Sequence, residues 1–164
     1  RKQDLQRAVQ SIAYTHNSPE SERGVQSIVE AIHMAWNGAT KEEIKARVQV
    51  QYGHMLNLTL EEMRAKASRD IRCNITAPQA LMCFMLSQDY ESAIRNAVYS
   101  GGDTDTIAAM SGALAEAFYG VDSIPKAMIA EIVKRVDMEI IYVMNNFYMY
   151  VAGHNPRYKN FSIV

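Results

Sequence analysis

A chain of 164 residues is long enough to bury one core, and 48% hydrophobic with 21% charged residues is the balance of an ordinary globular protein. A formal net charge of −1 leaves no basic excess for nucleic acid or an anionic membrane. Two cysteines, Cys73 and Cys83, fall in no metal-ligand or redox spacing, which points to a reducing, cytoplasmic setting.

The chain opens at Arg1, without Met and already inside a helical pattern of Leu5, Ala8, Val9, Ile12 and Ala13. That start is expected of a clipped or partial product. Ser18-Pro19 then reads as an N-cap with proline at the first helical position. Behind it Val25, Ile28, Val29, Ile32 and Trp36 mark the face expected to be buried, and Gly38 stops the helix. Thr40 with Glu43 and Thr59 with Glu62 have the spacing of two capping boxes, each opening a helix, the first closed by Gly53.

Residues 76 to 87, with Pro78 near the start, are apolar on all sides and predict a buried central helix. Tyr90, Ala93, Ile94, Ala97 and Val98 mark the next helix, which ends at Gly101-Gly102. A further helix runs from the acidic stretch behind those glycines to Gly120, and Ser123-Ile124-Pro125 starts another. The last passes through Tyr142, Phe147 and Tyr148. Its apolar stretch from Ile140 to Ala152 is broken by Asn145-Asn146 and is too short to span a bilayer. The ten methionines, Tyr148 and Tyr150 read as core packing. No alternating strand pattern appears, so the fold class is all-α.

Chemistry concentrates in Ser100-Gly101-Gly102-Asp103-Thr104-Asp105-Thr106. Asp and Thr favour a helix entrance because their side-chain oxygens accept from free backbone N–H groups. One cap serves that purpose, so a second acid and a second hydroxyl are surplus. Oxygen-only donors at a fixed turn also suit a hard divalent cation. Cap and metal half-site both stand at this point. Asp103 and Asp105, two apart, can reach a common point, with Thr106 in the first helical turn. The small residues Ala108, Ala109, Ser111, Gly112, Ala113 and Ala115 predict a close approach to neighbouring helices that would bury this helix start, where acids need a cation. A calcium EF-hand is excluded, since its sixth position needs Gly and Ala108 stands there. Gly101 and Gly102 either terminate the preceding helix or let a ligand approach the backbone. His16 lies at a helix junction, and Asp70 reads as a turn residue. His33, His54 and His154 show no partner spacing and read as packing or capping residues.

Three stretches, in order, give a resemblance. Thr15-His16-Asn17-Ser18-Pro19-Glu20, then Asp70 to Leu81 with Cys73 and Ala77-Pro78-Gln79-Ala80, then Gly101 to Ala109 followed by Ala117-Phe118-Tyr119-Gly120 resemble segments of the ADP-ribosylglycohydrolase family of the dinitrogenase reductase-activating type. The resemblance covers roughly residues 5 to 135. It implies an all-α hydrolase that removes ADP-ribose from modified protein side chains, or cleaves related ADP-ribosyl bonds, with two Mg²⁺ or Mn²⁺ ions. Asp103, Asp105 and Thr106 would be metal ligands, and His16, Gly101 and Gly102 would face the substrate. The family's other metal ligands, its acidic catalytic residue and its Gly-rich phosphate loop have no counterpart here. The resemblance therefore implies that residues 1–164 are the C-terminal portion of one such domain. They would be completed by an N-terminal segment of the same protein or by a second chain, and inactive alone. A non-catalytic ADP-ribose-binding or structural relative is the alternative.

Overall fold

A computed structural model describes residues 2–15, 18–68 and 70–154. Among the described residues all regular structure is helical, in agreement with the periodicity. The order is α1 (Lys2–Ala13), α2 (Pro19–Trp36), α3 (Lys41–Tyr52), α4 (Leu60–Ala65), α5 (Cys73–Met85), α6 (Tyr90–Ser100), α7 (Thr104–Tyr119), a 3-10 turn (Val121–Ser123), α8 (Lys126–Arg135) and α9 (Met138–His154). No described helix is long and apolar enough to cross a membrane. The chain divides into two compact units, residues 1–118 and 119–164.

The helix starts follow the local chemistry of the sequence. Ser18 Oγ accepts from the Ser21 N–H at 3.1 Å, and Pro19 takes the first helical position of α2. In α3 the Thr40 hydroxyl accepts from the Glu43 N–H at 3.2 Å while the Glu43 carboxylate accepts from the Thr40 N–H at 2.8 Å. Thr59 and Glu62 repeat that reciprocal pair at α4. α5 differs from expectation, since it begins at Cys73 and encloses Pro78 instead of starting beside it. The Ile75 and Thr76 N–H groups both donate to the Arg72 carbonyl, at 2.9 and 3.0 Å, which starts the helix a turn early.

In residues 1–118, α2 packs on α1, α3 and α5, while α5 and α4 both pack on α6. The buried face of α2 is rotated from the predicted one. Gly24, Ser27, Ile28, Ala31 and Ala35 are buried, and Trp36 is exposed. The reason is close approach: a Cβ on Gly24 would overlap Cys73 Sγ at the start of α5. Small residues therefore take the inside and the branched ones border it. Phe84, Ile44, Leu81, Ile107, Leu114 and Val48 are fully buried, so α5 is the central helix the sequence predicts. Lys41 Nζ donates to the Phe84 carbonyl at 2.8 Å and to the Ser87 carbonyl, so a cation satisfies carbonyls at the C-terminus of α5. The same ammonium lies 4.9 Å from the Phe84 ring centre, and that ring meets Phe118 edge-on at 5.4 Å.

α7 makes the close approach that its small residues predict. A Cβ on Gly112 would stand 2.9 Å from Ile94 Cδ1, and Ser111 Oγ donates to the Ala93 carbonyl at 3.4 Å. Its first turn is not buried, however. Burial begins at Ile107, while Asp105 and Thr106 are exposed.

In residues 119–164, Val121 and Val151 form a small core with Ile124, Tyr148 and Ala152 packed on it. Tyr148 packs as expected, but Phe147 and Tyr150 are 60% and 67% exposed. Met55, Met138 and Met149 are exposed as well, against the reading of the methionines as core. A helix apolar on every side, such as α9, buries only the stripe that has a neighbour, here Ile141 and Val151.

Candidate functional site

Three separate parts of the sequence line one cleft of about 660 Å³. The start of α2 contributes Ser18, Glu20, Ser21 and Val25. The segment leading into α5 contributes Ile71, Arg72, Cys73, Asn74 and Thr76, and α7 adds Thr106 and Met110. These parts overlap the three stretches that carry the family resemblance; α2 packs on α5, and α7 approaches α6 at Gly112 and Ser111. His16 lies outside the described residues.

The wall between residues 70 and 72 is ordered by its own chemistry. Asp70 Oδ1 accepts from the Arg72 N–H at 3.0 Å, the turn role expected of it. The Arg72 guanidinium also bonds both carboxylate oxygens, with Nε to Oδ1 at 2.9 Å and Nε to Oδ2 at 3.0 Å. This side-chain pairing, more than the backbone bond, holds the Asp70 carboxyl down at about 2. Arg72 is the basic side chain in the lining of the cleft, and Glu20 is the acidic one.

The Gly101-Gly102 turn joins α6 to α7. Gly101 has φ 74° and closes α6, and Gly102 has φ 83°, so two successive left-handed residues reverse the chain. Of the two roles weighed for these glycines, ending the preceding helix is the one seen here. A Cβ on Gly101 would come 3.0 Å from Ala67 Cβ, and one on Gly102 would come 3.2 Å from the Ser68 carbonyl oxygen. The close approach seen at this turn is therefore to the segment 67–68.

Directly behind the turn, the Asp103 carbonyl accepts from the Ile107 N–H at 3.0 Å and opens α7. The Asp105 carboxylate accepts from the Thr106 N–H at 3.0 Å and lies within hydrogen-bonding reach of the Asp103 side chain. These contacts, the Thr106 N–H foremost and Asp103 next, hold the Asp105 carboxyl below the ordinary carboxylate range. Two carboxylates so close can share a divalent cation. With the Thr106 hydroxyl this corner offers only oxygen donors, the set that Mg²⁺ and Mn²⁺ prefer. Among the described residues no group of three His, Cys, Asp or Glu side chains converges on one point. The corner fits part of a coordination sphere and is too small for a whole one.

Other polar pairs were not legible in the sequence. His54 Nε2 lies 3.0 Å from Ser27 Oγ, whose own hydroxyl donates to the Gly24 carbonyl at 2.6 Å, so the imidazole is the donor. Gln79 donates through Nε2 to Ser100 Oγ and to the Gly101 carbonyl, both at 2.9 Å. The signal for Gln79 was present: an amide just ahead of the apolar run Ala80–Leu86 needs partners.

The all-helical fold agrees with what the chain is similar to. A family model described as ADP-ribosylglycohydrolase matches residues 2–155. Human ADP-ribosylhydrolase ARH3 is 31% identical over 120 residues, which cover 65% of this chain and 32% of that protein. ADP-ribosylarginine hydrolase Tri1 of Pseudomonas putida strain GB-1 is 30% identical over 130 residues, 76% of this chain and 35% of that one. ADP-ribosyl-(dinitrogen reductase) glycohydrolase of Rhodospirillum rubrum is 26% identical over 126 residues, 77% and 42%. A solved structure described as an ADP-ribosylglycohydrolase-related protein complex superposes with a TM-score of 0.63 at 28% identity, covering 77% of this chain and 46% of that one. The chain thus spans between about a third and less than half of the length of these relatives. A match over residues 2–155, with an all-helical fold to carry it, establishes that the chain belongs to the ADP-ribosylglycohydrolase family.

Proposed function

We propose that this chain supplies one side of the active site of a hydrolase that removes ADP-ribose from modified protein side chains. The observation that carries the reading is the convergence of three sequence segments on one cleft, with Thr106 in its lining next in sequence to the acid pair. Asp103, Asp105 and Thr106 are the residues that would hold Mg²⁺ or Mn²⁺, two ions in the complete site. Bound there, a divalent cation would supply positive charge against ribose hydroxyls and against the charge that develops as the glycosidic bond breaks. Thr106 carries this corner into the cleft, and the Asp70–Arg72 pair fixes a cationic group in the same lining, suited to a diphosphate. Gly101 and Gly102 set the turn that places the acids, and His16 would face the substrate.

Two carboxylates and a hydroxyl do not surround two ions. The remaining ligands and the catalytic acid would come from polypeptide beyond these residues, on an N-terminal segment of the same protein or on a second chain. Cytoplasmic residence suits two free thiols, Cys73 and Cys83.

The test joins the chain to that remaining portion and measures ADP-ribose release from an ADP-ribosylated protein with Mn²⁺ present. Release is expected from the joined protein and not from residues 1–164 alone. Asp105→Ala should abolish both release and Mn²⁺ binding measured by electron paramagnetic resonance. Full activity and full Mn²⁺ affinity in Asp105→Ala would overturn the assignment.

A further inference from the structure

We infer that Gln79 is the positioning residue of the acidic corner: from the middle of α5 it holds the backbone turn that presents Asp103 and Asp105. The inference rests on the reading of that corner as a cation site. Gln79 has no contact with the acids themselves. Its amide nitrogen carries two protons and meets two acceptors, Ser100 Oγ and the Gly101 carbonyl, each at 2.9 Å.

Ser100 is fully buried and has its own commitments. Its hydroxyl donates to the Ala97 carbonyl at 2.9 Å and accepts from Cys83 Sγ at 3.7 Å. Five groups from α5, the end of α6 and the turn thus form one small network in which the amide of Gln79 is the link to the turn. The turn needs such a link because Gly101 and Gly102 supply freedom and no side chains. Two consecutive glycines at φ 74° and 83° have more accessible backbone conformations than any other pair. One carbonyl pinned two residues before Asp103 removes much of that freedom just where a shift would separate the acids from Thr106. Gln79 Oε1 closes the other side, 3.6 Å from where a Cβ on Gly102 would lie.

Neither an apolar side chain nor a carboxyl matches this task at position 79. Leucine keeps the volume and leaves the Gly101 carbonyl and Ser100 Oγ without their donor. A carboxyl at this position has one proton to give when neutral and none when ionised. Gln79→Glu should therefore recover part of the hold as pH falls, and Gln79→Leu should not.

The experiment follows amide hydrogen exchange in the full 164-residue chain, and Mn²⁺ binding in the protein that joins this chain to the remaining portion of the site. Protection of the Ile107 amide, which reports the α6–α7 turn, is compared with that of Val48 in the buried part of α3. Gln79→Leu is expected to lower Ile107 protection at least about tenfold relative to Val48, and to weaken Mn²⁺ binding by about fivefold or more. Gln79→Glu should match it near neutral pH and regain protection in acid. Equal losses at Ile107 and Val48 would make Gln79 an ordinary packing residue and overturn the inference, as would unchanged protection at both. A loosened turn with unaltered Mn²⁺ affinity would overturn it too. Failure of the wild-type joined protein to bind Mn²⁺ would sink the cation reading of the corner instead. The ratio of Ile107 to Val48 protection would then decide alone whether Gln79 holds the turn.

Discussion

Gly24→Ala is the sharpest probe of how the cleft is built, because the contact of α2 with α5 sets the separation of two of its walls. A Cβ at position 24 would overlap Cys73 Sγ and come within 3.1 Å of the Cys73 carbonyl oxygen and 3.3 Å of its Cβ. Overpacking of this kind costs about 1–3 kcal/mol, since neighbouring atoms must shift. Alanine in place of glycine within a helix returns about 1 kcal/mol. The difference leaves the variant about 1 kcal/mol less stable, or roughly 2–4 °C lower in thermal midpoint for a chain of this size. Urea denaturation of the two single variants, the double variant and the parent gives the coupling directly. Cys73→Ala removes the sulfur and keeps the tight carbonyl and Cβ contacts, which offset the helix gain, so Gly24→Ala should be close to neutral in that background, a coupling of about 1 kcal/mol. Should Gly24→Ala instead stabilise the chain by the full helix-propensity gain in both backgrounds, the close approach of α2 to α5 would be refuted. The rotated face of α2 would fall with it.

Lys41→Met removes the ammonium that caps α5 at the Phe84 and Ser87 carbonyls, and urea titration should show a loss of about 1–3 kcal/mol, the range for hydrogen bonds to charged groups. Gly102→Ala forces an L side chain to φ 83° against the Ser68 carbonyl, and should cost about 1–2 kcal/mol in the same assay while also weakening Mn²⁺ binding. Burial, and after it the charge of Arg23, holds the His54 imidazole below its ordinary value of 6.5. The unfolded chain then binds a proton there that the folded chain does not, in the window below that value. His54 therefore contributes stability that is complete above the unfolded value and lost as pH falls through it toward the folded one. The thermal midpoint should drop between about pH 7.5 and about pH 5.5, and His54→Gln should flatten that part of the slope.

Helix starts were legible in the sequence because capping is local. Ser18-Pro19, Thr40 with Glu43 and Thr59 with Glu62 each act within four residues, and each appears as read. What was not legible depends on partners far along the chain. The buried face of α2 turns on Gly24 meeting Cys73, and a helical-face pattern that favours large apolar residues cannot foresee small ones taking the inside. The early start of α5 follows from the Arg72 carbonyl, where Pro78 pointed to a later one. Tyr150 and Phe147 illustrate the opposite limit, since apolar character predicts burial only where a neighbour exists to provide it. At the site, the acids and the turn were visible from residue types alone. The hold of Gln79 on that turn needed the three-dimensional placement of Ser100 and Gly101.

The exposure of the acidic corner bears on its chemistry. The sequence led to a buried helix start, where the acids would need a cation to be tolerated at all. Asp105 and Thr106 are exposed instead, and water screens the mutual repulsion of Asp103 and Asp105. Within these residues the pair carries little penalty, and a cation held there would compete with full hydration. Covering the cleft with further polypeptide, as the proposed function requires, would remove that water and raise the repulsion between the two carboxylates. The same closure would strengthen the attraction of both for a divalent ion. Tight metal binding and catalytic competence would then arise together, from one act of desolvation, with the Gln79-held turn keeping the acids in place before it.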